Sequence, residues 1–160
     1  LATQGYASAQ NQLGQMYANG RGVPQDYSTA RKWYAKAAAQ GHGWALTQLG
    51  QLSADGLGVP QDYKQAHHWW EQAGTQGVAQ AQYNLAQLYA TGRGVPQNYA
   101  TARAWYEKAA TQGHTWAQAQ LGQLYANGQG VPKDYAAARK WYEKSAAQGN
   151  AWAQAQLAML

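Results

Sequence analysis

The sequence has no cysteine and no phenylalanine, and isoleucine is absent too. Without cysteine there is neither a disulfide framework nor a thiolate metal site. Charge is also scarce: 12 basic and 7 acidic residues leave a formal +5, a mild surplus that permits non-specific attraction to polyanions without making it the purpose. No apolar run approaches the roughly 20 residues needed to cross a bilayer. The opening Leu1-Ala2-Thr3-Gln4-Gly5 lacks the basic and apolar regions of a signal peptide. The piece therefore reads as soluble. Its compartment stays open, with a bacterial periplasmic or secreted setting compatible.

What remains is apolar in an unusual way. Of 160 residues, 46% are hydrophobic, and alanine, leucine, 8 tryptophans and 12 tyrosines supply most of them. That is enough material for one domain. Small residues and large aromatic plates suit close-packed helices, whereas strands favour β-branched residues. The expected class is all-α.

An internal repeat organises the chain. Gly5, Gly41, Gly77, Gly113 and Gly149 stand 36 residues apart. Between them Val23-Pro24-Gln25-Asp26-Tyr27 returns as Val59-Pro60-Gln61-Asp62-Tyr63, Val95-Pro96-Gln97-Asn98-Tyr99 and Val131-Pro132-Lys133-Asp134-Tyr135. Four full repeats at about 5–40, 41–76, 77–112 and 113–148 form a single repeat domain, with partial ends at 1–4 and 149–160. The ends read as cuts in a longer array. Exposed apolar faces there would permit end-to-end self-stacking.

Within the first repeat, Ala9, Leu13, Met16 and Tyr17 recur at helical spacing and predict a first helix over about 6–18. Asn19-Gly20-Arg21-Gly22 ends it, since glycine takes the left-handed cap conformation at no steric cost. Pro24 blocks early resumption, and Asp26 is placed to cap a second helix running to about Gln40. That helix presents Ala30, Trp33, Tyr34, Ala37 and Ala38 on one side. Trp33 and its equivalents Trp69, Trp105 and Trp141 are expected in the core. Gly14, returning as Gly50 and Gly122 with alanine at 86 and 158, would cost about 1 kcal/mol of helix propensity against alanine, so it predicts a close approach of helix backbones.

The residues Leu13-Gly14-x-x-Tyr17, Gly20-x-Gly22-Val23, Asp26, Ala30, Trp33 and Lys36-Ala37-Ala38-x-Gln40-Gly41 resemble the Sel-one-like repeat (SLR) family, within the tetratricopeptide-like superfamily. The resemblance covers the whole chain. It implies a right-handed α/α superhelical solenoid of 36-residue helix-turn-helix repeats, with the first helix of each repeat on the concave side. It also implies an adaptor or scaffold role in protein complexes, commonly in bacteria. Departures cluster in the second repeat, where Ser53 replaces tyrosine, Leu57 replaces the loop arginine, and His67-His68-Trp69-Trp70 stands for Arg31-Lys32-Trp33-Tyr34. That repeat is expected to pack or bind differently.

The first helices carry almost no charge, and a second face on them gathers tryptophans and amides. Trp44, Gln48 and Gln51, then Asn84 and Gln87, then Trp116, Gln120 and Gln123, and finally Trp152 share that direction, because steps of four, seven and eleven residues nearly coincide on a helix. Carboxamides donate and accept, and tryptophan is a rigid apolar plate, so this row is the expected site for another protein or an extended peptide. The same groups suit a glycan or peptidoglycan strand. Alternatively, the tryptophans seal the groove between repeats and the glutamines are solvated helix formers. Nucleic acid ranks third, resting on basic clusters at Arg31, Lys32, Lys36 and Arg139, Lys140, Lys144 that the middle repeats dilute.

Catalysis finds little support. No nucleophile motif or phosphate loop is present, since Gly20-Arg21-Gly22 lacks a following Lys-Ser/Thr. His67 and Glu71, four apart, would offer two metal ligands, which is too few. Glu107 and Glu143 stand four residues after Arg103 and Arg139 and read as surface ion pairs. No enzyme activity, cofactor or metal is expected.

Overall fold

A computed structural model describes residues 2–160, with side chains from Tyr6 onward. Its described residues form nine helices and no strand: α1 (Ala2–Asn19), α2 (Tyr27–Ala39), α3 (Gly43–Asp55), α4 (Tyr63–Thr75), α5 (Ala79–Thr91), α6 (Tyr99–Thr111), α7 (Thr115–Asn127), α8 (Tyr135–Ala147) and α9 (Ala151–Met159). They divide into two compact units, residues 1–78 with α1 to α4, and 79–160 with α5 to α9. None is long and apolar enough to cross a membrane.

The repeating motif Val-Pro-Gln-Asp-Tyr builds each hairpin. Its acidic or amide residue caps the second helix: Asp26, Asp62, Asn98 and Asp134 each accept a backbone N–H of the first turn, at 3.2, 3.0, 3.1 and 3.0 Å. The Thr29 hydroxyl donates a further bond to Asp26, which holds that carboxyl below its ordinary range. The same residue's N–H closes the loop backward, as Asp62 does on the Ser53 carbonyl at 2.8 Å. The glutamine turns the other way. Gln25, Gln61 and Gln97 donate to the carbonyls of Ala18, Ala54 and Ala90, satisfying last-turn acceptors that the helix itself leaves open. Gly58 and Gly130 explain the loop's final glycine. Both are left-handed, with φ near 73°, and a Cβ would strike the backbone of Tyr27 or Tyr99, so the loop lies directly on the second helix of the preceding repeat.

Alanine, leucine and one aromatic per repeat fill the core. In the second unit, Ala86, Ala102, Tyr106, Ala109, Ala117, Leu121 and Leu124 form one buried cluster. The buried aromatic is Tyr34, Trp70, Tyr106 or Tyr142, and burial pushes the Tyr34 phenol up to about 12. Trp33, Trp69, Trp105 and Trp141 are only half-buried, with Trp105 and Trp141 packed against the core cluster from outside, so the expectation that they form the core holds only in part. Adjacent residues on a helix point about 100° apart, and it is the second aromatic that faces the paired helix. Lysines cover three of the outer tryptophans: Lys36, Lys108 and Lys144 sit 4.5, 4.6 and 4.8 Å from the Trp33, Trp105 and Trp141 ring centres.

Two further expectations change. The small residue in the first helix makes room first for an aromatic ring and, at Gly122, for a helix backbone as well: a Cβ on Gly14 would lie 2.7 Å from the Tyr34 ring, and one on Gly122 2.8 Å from the Tyr142 ring and 3.2 Å from the Ala138 carbonyl oxygen. In addition, α1 runs unbroken through Gly5, although the first helix was expected only over about 6–18; Leu1 itself lies outside the described residues. At Gly41 the turn is held by bonds from the Gly41 and His42 amides to Ala38 and Ala37, late in a complete second helix. Ala9 is exposed, whereas its equivalents Ala45, Ala81 and Ala117 are fully buried.

Candidate functional site

The tryptophan and amide face is best seen in the second unit. Trp116 is 49% exposed on α7, and Trp152 on α9 is half-buried, its ring edge-on to Tyr142 at 5.9 Å between centres. The two tryptophans line a surface cleft of about 330 Å³. Gln148 also lines it and is fixed by three bonds: it donates to the Gly113 carbonyl at 3.0 Å and the Gln118 carbonyl oxygen at 2.8 Å, and accepts from the Thr115 hydroxyl at 2.8 Å. Along α7, Gln120 and Gln123 are half-buried and make no hydrogen bond to other described residues. Their amides are available to a ligand.

Other amides of the row are already engaged. Gln87 donates to the Tyr83 hydroxyl at 2.6 Å, and Asn84, 8% exposed, accepts from Gln80 at 2.9 Å. The Asn84 Nδ2 is buried without a partner. In the first unit, Trp44 is 39% exposed, Gln51 donates to Asp55 at 2.8 Å, and Gln48 is uncommitted. The expected row thus divides into exposed tryptophans with free amides at Gln48, Gln120 and Gln123, and amides spent internally at Gln51, Asn84 and Gln87.

Sequence reasoning missed two sets of polar residues. His42 and His114 cap the first helices: each Nδ1 accepts a backbone N–H, from Ala45 at 3.2 Å and from Ala117 at 3.1 Å. His114 also stacks on Tyr83 at 4.6 Å, and its Nε2 stands 3.1 Å from the Gln80 carbonyl oxygen, which fixes the proton on Nε2. Burial lowers its pKa. The second set is a buried amide clamp inside the repeats, in which Gln40, Gln112 and Gln148 donate to Gln10, Gln82 and Gln118 at 2.7, 2.9 and 2.8 Å. The signal was a pair of glutamines recurring 30 residues apart. Leu46 breaks the pattern in the second repeat, and Gln76 has no such acceptor.

The charged side chains pair on the second helices. Arg103–Glu107 lies at 2.7 Å, Arg139–Glu143 at 3.0 Å and His67–Glu71 at 3.5 Å. Among the described residues no three of His, Asp and Glu gather as metal ligands.

The Sel1 repeat profile matches this chain four times, at residues 7–42, 45–78, 79–114 and 117–150. The chain belongs to the Sel1 repeat family. Among solved structures, it is similar to c5321, a protective antigen of uropathogenic Escherichia coli with an SLR fold: 43% identity, TM-score 0.94, covering 98% of this chain and 34% of that one. A Sel1 repeat protein from Oxalobacter formigenes follows at 38% identity and TM-score 0.89, covering 94% of this chain and 62% of that one. Helicobacter pylori cysteine rich protein B, at 22% identity and TM-score 0.66, shares the fold, with 83% of this chain and 96% of that one covered. No curated protein matches. This chain spans about a third of the E. coli antigen and under two thirds of the Oxalobacter protein. Sel1 repeats, as a family, are generally non-catalytic and mediate protein–protein interaction.

Proposed function

We propose that this Sel1 repeat segment is a non-catalytic module that binds an extended peptide of a partner protein on the face formed by the first helix of each repeat. The exposed Trp116 beside Trp152, lining a cleft together with the fixed amide of Gln148, is the observation that carries this reading. Tryptophan is among the residues that most often anchor protein interfaces. An apolar side chain of the peptide enters the cleft, and Gln120 and Gln123 pair with its backbone. In the first unit, Trp44 and Gln48 offer the same chemistry.

This face holds almost no charge, so recognition there is insensitive to salt, unlike binding to the basic second helices. The test is selection of peptides from a display library on the folded chain, followed by titration of the best one at low and high ionic strength. Affinity that stays constant with salt and falls in Trp116→Ala supports the reading. Steep salt dependence with no effect of Trp116→Ala overturns it. A glycan strand would use the same groups, and a parallel titration with peptidoglycan fragments tells the two apart.

A further inference from the structure

The second repeat departs from the others at two positions that converge in space. Tyr17, Tyr89 and Tyr125 share one register in their repeats, and Ser53 takes that place in the second. In the second unit, Tyr89 and Tyr125 are half-buried and pack on the same core cluster as Trp105 and Trp141. At the equivalent point of the first unit there is a cleft of about 320 Å³, lined by Ser53 and Trp69 with Leu49, Val59 and Pro60. Such a volume falls at the small end of natural ligand pockets, of about 300–1,000 Å³.

The other departure is three residues after Trp69. The three equivalent tryptophans carry a lysine over one face, but Gln72 stands in that position and turns to His68, 2.9 Å away. No described cation sits on Trp69. The cleft therefore has an aromatic wall, an aliphatic wall and no side chain of its own filling it. Its rim is polar. Arg31, which makes no hydrogen bond to other described residues, and Asp62, which spends Oδ1 on both of its cap bonds, also line the cleft.

We infer that this cleft is a pocket for a tyrosine side chain presented by a partner polypeptide. The repeat itself indicates the occupant: its framework holds a tyrosine at this register wherever the chain supplies one. A ring inserted from outside stacks on Trp69 and against Leu49 and Pro60, and its hydroxyl meets the Arg31 and Asp62 rim. Ser53 and Trp44 project on nearly opposite sides of α3, being nine residues and about 180° apart. The pocket is thus separate from the tryptophan and amide face and does not depend on it.

The experiment uses p-cresol, which is the tyrosine side chain alone, and N-acetyltyrosinamide, with the Trp69 indole N–H resonance as reporter. Both are expected to shift it saturably, in the millimolar range for p-cresol and more tightly for N-acetyltyrosinamide, with toluene weaker than p-cresol. Ser53→Tyr fills the cleft from within; it is expected to abolish both shifts and to raise the thermal midpoint. Ser53→Leu serves as a second filled variant should the tyrosine variant fail to fold. Trp44→Ala is expected to leave p-cresol binding unchanged. Absence of a saturable shift, or equal binding by a folded filled variant, overturns the inference. So does tighter binding of indole than of p-cresol, or binding of p-cresol with none of N-acetyltyrosinamide.

Discussion

Replacing Gly50 by alanine sets two physical effects against each other. On a helix, alanine is favoured over glycine by about 1 kcal/mol, so propensity alone predicts a more stable protein. The structure predicts the reverse. The added Cβ would fall on the Trp70 indole, 2.5 Å from Cδ1 and 2.8 Å from Cε2. Trp70 is 4% exposed, and its N–H donates to the Thr47 carbonyl at 3.0 Å. The ring cannot retreat without straining that bond. Overpacking costs about 1–3 kcal/mol and an unsatisfied buried donor a further 1–3 or so, so the clash outweighs the propensity gain and the net loss is about 1–5 kcal/mol. The third repeat contains the solution: there the pair is Ala86 with Tyr106, both buried. Gly50→Ala combined with Trp70→Tyr recreates it, and the two changes should couple favourably by about 0.5–3 kcal/mol. Urea unfolding followed by far-UV circular dichroism measures all four corners of the cycle. A raised midpoint for Gly50→Ala alone, or strict additivity in the double variant, would refute the reasoning.

Leu121→Ala should lose about 2–5 kcal/mol, because Leu121 is fully buried among alanines that have no rotamers with which to fill the cavity. Gln120→Ala, on the open face, should stay within about 0.5 kcal/mol, and a urea midpoint for either outside these ranges contradicts the assigned faces. Gln112→Ala strands the buried Gln82 oxygen and should cost about 1–3 kcal/mol by the same assay; no change would mean that the clamp is incidental. His114 has a folded pKa below its ordinary 6.5, so its contribution is complete above that pH and is lost as pH falls through the depressed value. His114→Asn keeps a cap of the kind Asn150 provides on α9 and should flatten the acid side of the stability profile; an unchanged profile counts against the assignment.

Period and punctuation made the architecture legible. The Asp26 register gave every second-helix start because N-capping is local chemistry, decided within four residues. Packing direction was less accessible: Trp33 and Tyr34 are neighbours, and only the position of the paired helix decides which is buried. His42 and His114 escaped because histidine is an uncommon cap, and Gln82 and Gln118 because glutamine is mostly exposed. The missing tyrosine at Ser53 was visible, but the cleft it leaves depends on α2 and the loop before α4. Of the tryptophan and amide row, the helical register was readable, while the engagement of Gln87 with Tyr83 was not, since that hydrogen bond belongs to rotamers.

The most direct test of the recognition face is calorimetric titration of a display-selected peptide into the parent chain and into a Trp44→Ala/Trp116→Ala variant whose helical content matches it. Affinity should fall at least about tenfold in the variant, as expected when central aromatic anchors are truncated. Equal affinity for both chains would contradict it and move binding to another surface.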